Sequence, residues 1–216
     1  MTEPRSSLAA SKRGGAAAPP DPWDPLVRLT HWAVAAGVLL NGLIDKPGGI
    51  THVWIGWAMG GLLALRIGWG FLGPVEARFS SFPLNPRAGL AHLRAVLLGR
   101  PGEHPSHNPA GAVMVYALWA CLGLTVLTGL ILTGGESPVT IAEQKAAVAA
   151  GDWSALAAAG DSAEDGPVKE VAGEVHGVVA NLILILAAVH VAGVALESRA
   201  LRRNLVRPML IGRRRP

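Results

Sequence analysis

Hydrophobic residues are gathered into four long runs, separated by stretches rich in glycine, proline and charge. A helix that crosses a bilayer needs about 20 mostly apolar residues. Four segments meet or approach that length: 27–44 (VRLTHWAVAAGVLLNGLI), 52–72 (HVWIGWAMGGLLALRIGWGFL), 112–133 (AVMVYALWACLGLTVLTGLILT) and 176–196 (HGVVANLILILAAVHVAGVAL). The first is the weakest, because its uninterrupted part from Trp32 to Ile44 is short and carries Asn41. Its assignment rests partly on its place in the series. The pattern predicts an all-α fold, a four-helix transmembrane bundle occupying residues 23–198.

The connections refine this picture. DKPGGIT between the first two runs is a tight Pro/Gly turn, which makes those helices antiparallel neighbours. In RAGLAHLRAVLLG (87–99), Leu90, Leu93 and Leu97 recur at helical spacing with Arg94 beside them, predicting an amphipathic helix on the inner leaflet. The loop 134–175 has room for a short Ala-rich helix. Residues 1–22 carry early positive charge and a Pro cluster but no apolar core, so they predict a disordered tail rather than a signal peptide.

Composition agrees with a membrane protein. Half of the residues are hydrophobic (50%), 16% are charged, and the mean hydropathy is +0.37. The net charge of +4 does not argue for a nucleic-acid partner, because the arginines flank the apolar runs instead of forming one basic patch. They orient the bundle. Loop 73–111 carries Arg78, Arg87, Arg94 and Arg100, and the basic tail 199–216 carries seven arginines: Arg199, Arg202, Arg203, Arg207, Arg213, Arg214 and Arg215. Both belong on the cytoplasmic side under the positive-inside rule, with both termini. Loop 134–175 holds eight acidic residues against Lys145 and Lys169, which suits the outer side of the membrane.

The single cysteine, Cys121, excludes an internal disulfide, a C-x-x-C redox pair and covalent haem attachment. No P-loop, dinucleotide fingerprint, H-E-x-x-H or G-x-S-x-G is present, so hydrolase and nucleotide-dependent activities have no support.

Four of the seven histidines, His31, His52, His176 and His190, fall in or at the ends of three predicted spans. An ionisable group at membrane depth is costly and should face the bundle interior, neutral, paired or metal-bound. Imidazole is also a common axial ligand of haem iron. His176 and His190 are 14 residues apart, which is 1400° of helix, about 40° short of four turns, and roughly 21 Å along the axis. They share one face at two depths, the geometry for two stacked haems. Depth then selects the second ligands: His52 with His176 at the outer level, His31 with His190 at the inner level. The alternative is that His52 and His176 are wetted at helix ends while His31 and His190 are hydrogen-bonded packing residues.

Other positions stay open between two readings. Gly56, one turn after His52, gives a macrocycle room or, with Gly60, forms a close-packing G-x-x-x-G pair. Arg66, 14 residues after His52, and Arg28, three before His31, either hold haem propionates or snorkel to the headgroups. Trp32, Trp54, Trp57, Trp69 and Trp119 fit an interfacial belt. His92, His104 and His107 in the inner loop are solvated or take up protons near the inner level.

Several stretches together resemble the bacterial cytochrome b-561 and nickel–iron hydrogenase b-type cytochrome family, over about residues 22–215. They are WDPLVRLTHW, HVWIGWAMGGLLALRIGWGFLGPVEARF, HNPAGAVMV, the His176–His190 spacing and the closing RNLVRPMLIGRRR. The resemblance implies two non-covalent haems b ligated by His31, His52, His176 and His190. It further implies electron transfer between a redox partner, such as a hydrogenase or a cytochrome c, and the quinone pool of a respiratory chain. The competing activity is a free-standing quinone-linked oxidoreductase acting on superoxide or a small acceptor. A non-redox membrane anchor is the third. Loop 134–175 is longer than the family pattern requires.

Overall fold

The computed structural model describes residues 23–100, 102, 104, 106–153 and 166–211. The tail predicted over 1–22 lies outside the described residues, as do 154–165 of the long loop and 212–216 of the basic tail.

Four of the described helices begin with a polar residue followed by proline. Asp24–Pro25 opens α1 (Pro25–Leu39), Asn85–Pro86 opens α3 (Pro86–Leu97), Asn108–Pro109 opens α4 (Pro109–Leu132) and Ser137–Pro138 opens α5 (Pro138–Ala149). In each, the polar side chain accepts a hydrogen bond from a first-turn backbone N–H, and proline occupies a position whose N–H would be unpaired anyway. The remaining helices are α2 (Ile50–Leu72), α6 (Pro167–Ala200) and the short α7 (Arg207–Leu210).

Among the described residues, four helices are long and apolar enough to cross a membrane: α1 with its extension to Ile44, α2, α4 and α6, with best-stretch hydropathies of 1.3, 1.3, 2.1 and 2.4. The chain is therefore an all-α, four-helix bundle. Its outward surface is apolar, with Leu43, Phe71, Val178 and Val191 each about two-thirds exposed, as lipid-facing positions should be.

Spans consecutive in the chain run antiparallel. The start of α1 meets the end of α6 through His31 and His190. The start of α2 meets α6 through His52 and His176, and the start of α4 meets the end of α6 through Asn108 and Glu197. The bundle thus has an upper end, with His52, His176 and α5, and a lower end, with His31, His190, α3 and α7. Between them lies an apolar layer of Met59, Leu122, Val179 and Ile183.

Asn41, the weak point of the first run, has a structural task. α1 ends in a π turn over Leu40–Ile44, closed by Asp45 N–H to the Leu40 carbonyl at 2.9 Å. Within it, the Asn41 amide donates to the His52 carbonyl at 3.1 Å and ties α1 to the first turn of α2. The turn between them relies on Gly48, whose φ of +71° suits glycine. Lys145 of α5 donates to its carbonyl at 3.1 Å, laying α5 across the upper end.

Two expectations change. The fourth span, expected over 176–196, runs from Pro167 to Ala200, 34 residues. Pro167 and Glu170 in its first turn favour helix there, and Ala172 and Val175 continue the apolar face that packs on α4. His176 consequently sits well inside the helix. Second, the segment expected as a basic tail folds back: α7 docks on the start of α1, where Trp23 N–H, the Trp32 indole and the Arg28 guanidinium reach the carbonyls of Pro208 (3.2 Å), Met209 (2.9 Å) and Leu210 (3.1 Å).

In α3 the glycine and histidine face packs on α4, where a Cβ at Gly89 would come within 3.2 Å of the Pro109 carbonyl. Leu90, Leu93 and Leu97 are exposed on the opposite side, as the amphipathic pattern predicts.

Candidate functional site

Two histidine pairs stand at two levels of the bundle. At the upper level the His52 and His176 rings have centroids 6.0 Å apart with planes at 58°. At the lower level His31 and His190 are 6.2 Å apart, also at 58°. These are the pairs that depth alone selects. An imidazole–metal bond is about 2 Å and the nitrogen lies about 1 Å from its ring centre, so two imidazoles on opposite faces of one metal place their centroids about 6 Å apart. Both pairs match that span.

Each level offers two side-chain ligands. No group of three or more His, Cys, Asp or Glu side chains able to hold a metal occurs among the described residues. Two axial imidazoles suit an iron whose other four positions come from a porphyrin. Room beside the upper pair is consistent with this, since a Cβ at Gly56 would meet nothing within 4 Å. Gly60 differs: its Cβ would lie 3.2 Å from Val126 of α4, so Gly60 serves close packing.

The rings are held differently. The His176 Nδ1 lies 3.0 Å from the Thr128 hydroxyl of α4, whereas the Nδ1 atoms of His31 and His52 are buried without a hydrogen-bond partner. Thr128 is not among the residues singled out in the sequence. Its signal was one of three hydroxyls, with Tyr116 and Thr125, in a strongly apolar helix.

The lower level is richly polar. Arg66 is buried, 7% exposed. Its guanidinium donates to the Ala77 carbonyl at 3.3–3.4 Å and lies 4.9 Å over the Trp119 ring. Arg28 donates to Leu210 from Nη2, and its Nε is buried without a partner.

Glu197, another residue the sequence reading passes over, follows His190 by seven residues on the same helical face. Its carboxylate accepts from the Asn108 amide and lies 3.3 Å from His92 Nε2. His92 is buried, and His104 stacks edge-on to it at 5.2 Å. Burial and the neighbouring His92 lower the His104 pKa, with Glu197 opposing. His107 packs between Trp23 and Phe82, at 5.1 and 4.7 Å. Burial first, then Arg66, His190 and His31, lower its pKa to about 4, so the ring is neutral near pH 7.

Four apolar spans around two levels of facing histidines define a multi-pass membrane protein of the b-type cytochrome class. The chain belongs to the prokaryotic cytochrome b561 family, whose model matches residues 22–212. It is accordingly a membrane cytochrome that binds haem b and transfers electrons. No curated protein and no solved structure matches it.

Proposed function

We propose that the chain holds two haems b, the outer between His52 and His176 and the inner between His31 and His190, and relays electrons between a redox partner and membrane quinone in a respiratory chain. The observation carrying this reading is the pair of centroid separations, 6.0 and 6.2 Å, at levels roughly 21 Å apart along α6. Haem, when bound, supplies a one-electron iron couple tuned by axial ligands, hydrogen bonds and burial.

The chain's own residues position and insulate it. Gly56 leaves room at the outer level, and the layer of Met59, Leu122, Val179 and Ile183 separates the two levels with apolar packing. Arg66 and Arg28 are the propionate partners at the inner level. Each guanidinium has five N–H donors and the backbone carbonyls they meet use only some of them. The arginines of loop 73–111 and of 199–216 support a cytoplasmic lower end with both termini, in a bacterial inner membrane. The acidic loop 134–175 is then periplasmic and available to a hydrogenase or a cytochrome c.

The test is a haem count by pyridine haemochrome on the purified full chain, His31→Ala and His52→Ala. Two haems in the parent and one in each variant are expected. Loss of neither haem in either variant overturns the ligand assignment.

A further inference from the structure

The Thr128 hydroxyl makes three polar contacts. It lies 2.8 Å from the Leu124 carbonyl, 3.0 Å from the Thr125 carbonyl and 3.0 Å from His176 Nδ1. A hydroxyl has a single proton, and a carbonyl oxygen can only accept. Oxygen atoms that close are repulsive unless a proton lies between them, so the hydroxyl donates to its own helix. It is then an acceptor toward His176, beside the Thr125 carbonyl, and the ring carries its proton on Nδ1. The lone pair is left on Nε2, the nitrogen free to bind a metal.

Packing enforces the same orientation. A Cβ at Gly129 would lie 3.5 Å from His176 Cε1 and 3.9 Å from Nδ1, so the Nδ1–Cε1 edge runs along α4. Thr128 is 4% exposed, so its hydroxyl is shielded from water. Among the described residues, His176 is the one of the four intramembrane histidines whose ring meets a side-chain hydroxyl. The two levels are therefore chemically unequal.

We propose that Thr128 is a positioning residue for the outer haem: by accepting the His176 Nδ1 proton it fixes the ligand's tautomer and lowers that haem's reduction potential. This rests on His176 being an axial ligand, as argued above. A hydrogen bond at the distal nitrogen makes an imidazole more basic, and a more basic ligand favours the ferric state.

The experiment is a spectroscopic redox titration of the full chain in detergent, comparing the parent, Thr128→Val and Thr128→Ser. The two midpoints are assigned with His31→Ala and His52→Ala. In Thr128→Val, which keeps the shape and removes the acceptor, the outer midpoint rises and the inner one stays. Thr128→Ser restores the outer value. Electron paramagnetic resonance of the oxidised protein should show a changed low-spin signal for the outer haem alone. Loss of the outer haem in the valine variant with retention in the serine variant also supports the proposal. It is overturned if both haems bind and neither midpoint moves, if both move together, or if serine fails to restore the outer value. A parent protein without haem would instead overturn the ligand assignment beneath it.

Discussion

The Trp32 indole donates to the Met209 carbonyl at 2.9 Å, joining residues 177 positions apart in the chain. Trp32 also stands edge-on to the His31 ring at 5.1 Å, so α7 braces the helix turn that presents the inner histidine.

Deleting residues 205–216 removes this brace together with the bonds from Trp23 and Arg28. Each hydrogen bond contributes on the order of 1 kcal/mol, less where exposed. Thermal unfolding should shift down by roughly 2–4 °C for each kcal/mol lost. The inner haem should be lost first on dilution in detergent. Equal loss of both haems would show that α7 supports the whole bundle rather than His31.

Gly56 and Gly60 predict opposite outcomes from the same substitution. Gly56→Val meets open space in the protein, so helicity and melting should hold while outer haem content falls. Gly60→Val drives α2 against Val126, destabilising by about 1–3 kcal/mol. Haem per folded chain should be unchanged there. Pyridine haemochrome and circular dichroism on the same samples separate the two effects.

His107 makes stability depend on pH. Above its ordinary value near 6.5 the ring is neutral folded or unfolded and contributes nothing. Below 6.5 the unfolded chain takes up a proton that the folded chain, with a pKa of about 4, refuses. Stability is lost by this route as pH falls from 6.5 toward about 4. A plot of melting temperature against pH should be shallower in that window for His107→Gln than for the parent, and parallel curves would sink the assignment.

The bundle was legible because its signal is local. Each span is a run of apolar residues, and the charges beside it are neighbours in sequence. The histidine pairs were legible because 14 residues on one helix return to one face, and because alternating helix direction converts position in the chain into depth. Residues near helix ends were less so: His176 was expected at a helix start, yet α6 begins at Pro167. There hydropathy had already fallen, and capping with packing on α4 decided the boundary.

Sequence alone determined the four helices and their order, and it set four histidines at two expected depths, since periodicity and alternation need no knowledge of which helix faces meet. Tertiary structure alone decided that Thr128 meets His176 across 48 residues, that Glu197 meets Asn108 across 89, and that α7 closes on Trp32. Those contacts depend on the rotation of one helix against another, which is set by close packing such as Val126 against the bare backbone at Gly60 and has no repeat along the chain.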